Sequence, residues 1–272
     1  MVKSKWIHKL FSEVPLYQTQ WQGILLSDIA KEKGISPRKI ASTDFYEAFY
    51  KKLELTNFSF DPSWKKKKKK LSNFVLQYLK PLISKNPSAT ILSLGAGTGI
   101  VEEDLLKAGF KIDLHETQTT SLNYLKTKNI NFNEFISQDL SSFESDSYDL
   151  IMAFSISYCF SYEDYETLFK EVFRILKKGG LLIMWDPSPE IHSSKFHMLF
   201  CKIIRKLRQN TKQILLQKAS HEVFWGWLRQ GSLHKKLAQN AGLKVNDSFY
   251  TNDNWVKQEY SKGCFSWFIL SK

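Results

Sequence analysis

The fold of this chain is decided by residues 91–100, which read ILSLGAGTGI. The apolar run from Ile91 to Leu94 stops at the first of three glycines, a pattern that predicts a buried strand, a tight turn and then a helix. Gly95 permits the turn, and Gly97 lacks the Cβ that would keep a ligand away from the backbone. Because the start of the helix presents free N–H groups, the segment predicts a site for a small ligand.

The spacing of these glycines differs from that of a dinucleotide-binding loop. A dinucleotide fingerprint, G-x-G-x-x-G, would place its third glycine at position 100, where the chain has Ile100. The spacing here is G-x-G-x-G. A glycine loop alone does not identify the ligand, so residues farther along the chain are needed.

Two acids follow the loop at the ends of predicted strands. Glu116 stands 21 residues after Gly95, where a carboxylate can accept two hydrogen bonds from ribose hydroxyls. Asp139 lies in the triplet Gln138-Asp139-Leu140 and can accept a hydrogen bond from an exocyclic adenine amine. Either acid alone is typical of a solvated loop. The loop and both acids in register indicate a ligand that contains a nucleoside.

The middle of the chain alternates strand and helix patterns, which predicts a parallel sheet with crossover helices. The predicted strands cover 90–94, 111–115, 135–137, 148–154 and 181–186, and the predicted helices cover 100–108, 117–126 and 162–176. Residues 177–180, KKGG, are expected to end the last of these helices with cations and a left-handed glycine cap. A helix at 233–241 and strands at 243–250 and 264–270 are predicted near the C-terminus.

Together these motifs resemble the class I S-adenosylmethionine-dependent methyltransferases. The resemblance covers about residues 71–190 and 228–272 and rests on residues 94–99, 116, 138–140, 148–151, 176–180 and 241–245. It implies an α/β fold with a doubly wound, seven-stranded, mainly parallel, Rossmann-like sheet whose last strand is antiparallel. It also implies S-adenosyl-L-methionine as the cofactor, with Glu116 on the ribose, Asp139 and Leu140 at the adenine, and Gly95 and Gly97 beside the methionine part.

Further candidates for cofactor binding lie next to these residues: Ala96, Gly99, Thr117 and Phe154. One position departs from the family pattern. Family members often carry an acid two residues before the first glycine, where this chain has Ser93. We therefore expect backbone carbonyls or water, more than a charge, to hold the amino group of the methionine part.

Two segments lie outside the alternating pattern and predict the domain organisation. Residues 1–70 contain aromatic-rich helical stretches, end in six lysines at 65–70, and are expected to form a helical N-terminal cap. Residues 71–272 are expected to form the methyltransferase domain. Within it, residues 187–227 separate a strand from a helix by roughly 40 residues, against a usual connection of about 2 to 6, and predict an inserted substrate cap.

The net charge of +12 is unevenly distributed. Residues 1–90 carry a net charge of +10, residues 91–190 carry −8, and residues 191–272 carry +10. Residues 191–220 hold seven basic and no acidic side chains, interleaved with apolar residues at helical spacing. This segment is compatible with a solvated helix face, a lid over an anionic substrate, a helix on a membrane surface, or an RNA contact.

The acceptor side of the predicted site is less well defined. Residues 154–160, FSISYCF, lack the Asn/Asp-Pro-Pro-Tyr/Phe signature of amino-methylating nucleic-acid enzymes and the Pro-Cys nucleophile of the cytosine-C5 enzymes. The candidate catalytic residues are Tyr158, Asp186 and His192, whereas Cys159 is expected to be a packed thiol. His192 is a candidate general base, and an exposed histidine at a helix start is an equally good interpretation.

The sequence therefore predicts a methyltransferase that modifies a polar or anionic small molecule at oxygen, such as a sugar, a nucleotide-linked compound or a phosphorylated metabolite. An RNA methyltransferase that uses the basic flanks, and a non-catalytic binding module of the same fold, are the alternatives. Three widely spaced cysteines predict neither a disulfide framework nor a metal site. Together with the lack of a membrane-spanning or export-type apolar stretch, they predict a cytoplasmic location, with peripheral membrane contact left open.

Overall fold

The computed structural model describes residues 13–36, 42–136, 139–188, 222–251 and 265–272. The described strands are β1 (Glu13–Gln18), β2 (Gln20–Trp21), β3 (Ile24–Leu25), β4 (Ile91–Leu94), β5 (Asp113–Glu116), β6 (Asn133–Ile136), β7 (Tyr148–Phe154), β8 (Leu176–Pro187), β9 (Val223–Arg229), β10 (Lys244–Thr251) and β11 (Phe265–Ser271). The described helices are α1 (Leu26–Glu32), α2 (Thr43–Leu55), α3 (Pro62–Lys85), α4 (Ile100–Lys107), α5 (Asn123–Lys126), α6 (Tyr162–Ile175) and α7 (Gly231–Asn240).

One seven-stranded sheet organises the molecule, with strand order β10-β11-β8-β7-β4-β5-β6. The strands from β6 to β8 pair in parallel, and β11 runs antiparallel to both β8 and β10. This confirms the predicted doubly wound, mainly parallel sheet with an antiparallel last strand. The strand order reverses between β4 and β7, and in such sheets ligands bind at the carboxyl ends of the strands beside that point.

The helix before β8 ends differently from the sequence expectation. Helix α6 begins at a Ser161 cap, whose hydroxyl accepts from Asp164 N, and it stops at Ile175. Leu176 is already extended and pairs with Tyr148, and the Lys177 ammonium forms an ion pair with Asp149 at 2.7 Å. The prediction that residues 177–180 cap this helix is therefore wrong, because the chain is already extended at Leu176. Gly179 is left-handed, with φ +78°, but it lies within β8.

Other predicted elements also change their bounds, two of them next to the glycine loop's neighbouring strands. The helix predicted at 117–126 is reduced to α5, because Glu47 of α2 accepts hydrogen bonds from the Thr119 and Thr120 hydroxyls and holds that stretch as a turn. The third strand lies at Asn133–Ile136, slightly before the predicted 135–137.

The N-terminal segment and β9 pack together as one layer. Strand β1 pairs antiparallel with β9, and the ring of Trp225 on β9 is surrounded by aromatic rings at centroid distances of 5.1 to 6.1 Å. These rings belong to Trp21, Phe45, Tyr46 and Phe49. The N-terminal segment thus contains short strands as well as helices. Strand β9 includes the last residues of the long connection predicted at 187–227.

Helix α3 joins this layer to the sheet. It starts at Asp61, whose carboxylate accepts from Ser63 N at 2.7 Å, and packs along α4. Position 70, where the sequence suggests a domain boundary, lies in the middle of this helix, so the lysines at 65–70 are helical. None of the helices in the described part of the chain combines the length and apolar character needed to cross a bilayer.

Several sequence predictions fall outside the described residues. They include His192, the basic segment 191–220 and the greater part of the proposed cap at 187–227.

Candidate functional site

The glycine loop between β4 and α4 adopts a conformation that requires glycine. Gly95 has φ +61° and Gly97 has φ +59°, both in the left-handed region. A Cβ on Gly95 would lie 2.5 Å from Cγ2 of Ile156, and one on Gly97 would lie 3.2 Å from the hydroxyl of Tyr50. The loop therefore has no room for a side chain at Gly95, against which Ile156 packs, and little room for one between Gly97 and Tyr50 of α2.

Glu116 is held beside this loop at the end of β5. Its side chain is 5% exposed, and its carboxylate accepts from Gly97 N at 2.6 Å and from Thr117 N at 2.7 Å. Burial raises the pKa of Glu116, while the backbone N–H donors act to lower it. Each carboxylate oxygen keeps a further lone pair, so the group can accept from a ligand without leaving its place.

Asp139 and Leu140 lie after β6, the neighbouring strand. Asp139 is exposed and accepts from both the backbone N–H and the hydroxyl of Ser141, at 2.8 and 2.7 Å. These bonds start a short 3-10 turn at Leu140–Ser142 and lower the pKa of Asp139. The structure thus places this acid and Glu116 at the carboxyl ends of adjacent parallel strands, as their sequence positions predicted.

A cleft of about 740 Å³, including its part open to solvent, adjoins the glycine loop. Phe154 and Tyr158 line it from the side of β7. The opposite wall consists of aromatic side chains from the N-terminal segment and β9: Trp21, Tyr46, Phe49, Tyr50, Trp64 and Trp225. Ala96 and Gly97 also line this cleft, so loop and aromatic wall face the same space.

Two side chains of opposite charge, Glu102 and Lys68, line the cleft. The Ser93 hydroxyl donates to Oε1 of Glu102 at 2.7 Å, and both side chains are buried. Burial raises the pKa of Glu102. Lys68 of α3 lines the same cleft, and burial lowers its pKa to about 8, partly offset by Glu102 and Asp186.

The loop that carries Tyr158 is fixed from behind by buried charges. Asp186 is 0% exposed and accepts from Ser157 N at 3.0 Å, and burial raises its pKa to about 6. Arg229 is also 0% exposed and donates to the carbonyls of Ser157 and Phe160. Asp186 therefore lies under the loop, outside the cleft lining formed by the described residues.

The remaining candidates have distinct environments. Tyr158 is 9% exposed, and burial raises its pKa well above the ordinary value, so the phenol stays protonated near neutral pH. The Cys159 thiol lies 3.3 Å from the hydroxyl of Tyr46, and burial raises its pKa to about 12. These values describe a packed, unreactive thiol.

Sequence reasoning missed part of the cleft. The sequence shows that residues 1–70 are rich in aromatic side chains. It does not show that several of them lie beside the glycine loop, because that depends on how α2 and α3 pack. Glu102 carried a usable signal, since it lies in the first turn of the helix after the loop. Nothing in the run of six lysines distinguishes Lys68 from its neighbours.

Comparison with known proteins agrees with this architecture. The sequence model of a family described as "Methyltransferase domain" matches residues 92–184. No curated protein sequence matches the chain.

Solved structures share the fold at low sequence identity. An S-adenosylmethionine-dependent methyltransferase from Methanosarcina mazei has 16% identity and a TM-score of 0.52, with 71% of this chain and 97% of that chain covered. Magnesium protoporphyrin IX methyltransferase from Synechocystis PCC 6803, with bound S-adenosylhomocysteine, has 11% identity and a TM-score of 0.51, with 75% and 82% covered. The cyclase SpnF has 10% identity and a TM-score of 0.52, with 75% and 80% covered.

The cyclase shows that this fold also serves other reactions, so likeness of fold does not specify the reaction. The family match includes the end of β4, the glycine loop and strands β5 to β7. Residues 92–184 therefore match the methyltransferase domain family, and the described sheet has the fold that S-adenosylmethionine-dependent methyltransferases also have.

Proposed function

We propose that this protein is an enzyme that transfers the methyl group of S-adenosylmethionine to oxygen on a small acceptor bound in the aromatic cleft. The observation that carries this proposal is that the cleft opens directly onto Gly97 and is walled by aromatic side chains of α2, α3 and β9.

The cofactor would lie along the carboxyl ends of β4, β5 and β6. The proposed binding residues are those that the sequence nominated: Gly95, Ala96, Gly97, Gly99, Glu116, Thr117, Asp139, Leu140 and Phe154. The fixed carboxylate of Glu116 and the open backbone at Gly97 support this placement. When bound, the sulfonium supplies an electrophilic methyl group.

The methionine end of the cofactor would be held by a carboxylate on α4, and not by a residue of β4. Glu102, on α4, reaches the buried position beside Ser93, where family members often carry an acid. We propose that the Glu102 carboxylate binds the methionyl ammonium, with the Ser93 hydroxyl orienting it. This replaces the expectation that backbone carbonyls or water hold that group.

The acceptor is proposed to be a small, planar molecule that carries a polar or anionic oxygen. Aromatic walls favour a flat ring, because stacked or edge-on ring contacts add to the gain from buried area. The polar groups of a sugar or a phosphorylated metabolite, which the sequence also suggested, would lie against the faces of these rings without hydrogen-bond partners. The RNA alternative uses both basic flanks, of which residues 191–220 lie outside the described part of the chain. Peripheral membrane contact depends on that same segment.

The protein's own groups would act mainly by alignment, since methyl transfer is an in-line displacement. Tyr158 lines the cleft as a protonated phenol and would donate a hydrogen bond to the acceptor. Asp186 would act through the loop that it holds at Ser157 N. His192 stays a predicted general base. Residues 1–70 and 187–227 are proposed to act together as the substrate cap.

The function is tested by a labelled methyl-transfer screen of the purified protein. Polar metabolite extract, an aromatic carboxylate and phenol library, and total RNA are offered in parallel with labelled S-adenosylmethionine. We expect label in the aromatic library and none in RNA. Label in RNA alone would support the RNA alternative, and calorimetry that shows no binding of S-adenosylhomocysteine would contradict the proposal.

Glu102→Gln tests the proposed ammonium site. Removing the charge while keeping the shape is expected to weaken S-adenosylhomocysteine binding by about tenfold or more, since hydrogen bonds between charged groups contribute about 1.5–3 kcal/mol. Binding of 5′-methylthioadenosine, which lacks the amino acid part, should not change. Calorimetry measures both ligands, with Glu103→Gln on the same helix as the control. Equal weakening of both ligands would show a general structural effect instead.

A further inference from the structure

The lysine run at 65–70 contains one member that differs from the rest. Lys67 and Lys68 are both half-buried, whereas Lys65, Lys66 and Lys70 are exposed, and of these lysines Lys68 lines the cleft formed by the described residues. Lys69 is also exposed and forms an ion pair with Asp104 at 2.8 Å. The helical twist of α3 thus directs a single ammonium of this run into the proposed acceptor cleft.

The ammonium of Lys68 lies against aromatic rings and lacks a partner that neutralises it. Its Nζ is 4.6 Å from the ring centroid of Trp64 and 5.8 Å from that of Trp185. No described residue gives it a hydrogen bond or an ion pair. The carboxylates that act on it, Glu102 and Asp186, are engaged by Ser93 and Ser157.

Such an arrangement favours binding of an anion. A half-buried cation without a counter-ion is disfavoured, and the lowered pKa of Lys68, about 8, reflects that cost. At neutral pH most of the population is still protonated. An oxyanion in the cleft would relieve the cost, while the neighbouring rings would pack against a planar ligand.

The position of Lys68 favours the acceptor over the cofactor as the source of that anion. Trp185 lies on β8, which is separated by β7 from β4 and its glycine loop. Two strand spacings correspond to about 10 Å. Apart from Phe154 at the end of β7, the proposed cofactor residues lie over β4, β5 and β6, so the β8 side is left for the acceptor.

We propose that Lys68 binds an oxyanion, a carboxylate or a phenolate, on a planar aromatic acceptor, and so makes the cleft selective for anionic aromatic compounds. This inference rests on the proposed function, because it names the acceptor class of the same cleft. It also assigns Lys68 a role that the other lysines of residues 65–70 do not share. The sequence alone could not make that distinction.

The test compares benzoate with its neutral isostere benzamide as probes. Binding is followed by quenching of tryptophan fluorescence, since Trp21, Trp64 and Trp225 line the cleft. We expect the wild-type protein to prefer benzoate by about tenfold or more, as an ion-assisted hydrogen bond contributes about 1.5–3 kcal/mol. Lys68→Met should reduce that preference to about one, while the matched control Lys66→Met retains it.

The proposal is overturned if the wild-type protein does not distinguish the two probes, or if Lys68→Met and Lys66→Met show the same preference. It is also overturned if Lys68→Met weakens S-adenosylhomocysteine but not 5′-methylthioadenosine, because Lys68 would then bind the cofactor's carboxylate. Wild-type protein that binds no S-adenosylhomocysteine would contradict the proposed function. The probe preference, measured with and without that ligand, would still decide the role of Lys68.

Discussion

Glu116→Ala is expected to weaken binding of S-adenosylhomocysteine by about a hundredfold or more. The carboxylate is positioned to accept two hydrogen bonds from ribose hydroxyls, each contributing about 1.5–3 kcal/mol before water compensates in the variant. A second loss adds to this, because Gly97 N and Thr117 N lose the acceptor that fixes the glycine loop. Calorimetry on the purified variant measures the effect.

Glu134→Ala serves as the matched control, since Glu134 lies on the adjacent strand β6 with an exposed carboxylate. Its effect on affinity should be within the error of the measurement. Glu116→Gln keeps one acceptor oxygen and should fall between the wild type and Glu116→Ala. An unchanged affinity in Glu116→Ala would remove this residue from the cofactor site and with it the proposed placement of the ribose.

Arg229→Met is expected to lower the free energy of unfolding by about 3–5 kcal/mol, the usual cost of leaving a buried charge without its partner. Arg229 and Glu13 are 0% and 1% exposed, with Nε and Oε1 3.5 Å apart. The Arg229 guanidinium also donates hydrogen bonds to the carbonyl oxygens of Ser157 and Phe160, and it lies 4.7 Å from the ring centroid of Tyr165. The midpoint of urea unfolding, at unchanged slope, measures the loss.

The double variant Glu13→Gln/Arg229→Met separates the ion pair from the other contacts of Arg229. In Arg229→Met the Glu13 carboxylate is buried without its partner, so removing its charge should recover part of the lost stability. The rest of the loss should persist, because the carbonyls of Ser157 and Phe160 still lack a donor. If the single and double variants are equally stable, the Glu13 carboxylate does not depend on Arg229. A loss of less than about 1 kcal/mol in the single variant would mean that this region opens to water.

The sequence alone determined the sheet, the glycine loop and the acids that follow β5 and β6. Each of these depends on short-range information. An apolar run of strand length ending in glycines predicts the strand, the turn and the helix start within residues 91–107, and parallel strands carry their end residues to one edge. The positions of Glu116 and Asp139 therefore follow once the strands are assigned, without knowledge of the packing.

Only the tertiary structure decided how α6 ends and what faces the glycine loop. Helix α6 stops at Ile175 because sheet pairing of Leu176 and the Lys177–Asp149 ion pair outweigh the local glycine signal. Glu102 reaches the place beside Ser93 only when α4 is folded back on β4. Lys68 becomes a cation of the cleft because the rotation of α3 places its ammonium against the ring of Trp64 on the same helix and the ring of Trp185 on β8. Contacts of this kind join residues far apart in the chain, and their energies depend on burial and geometry that residue order does not encode locally.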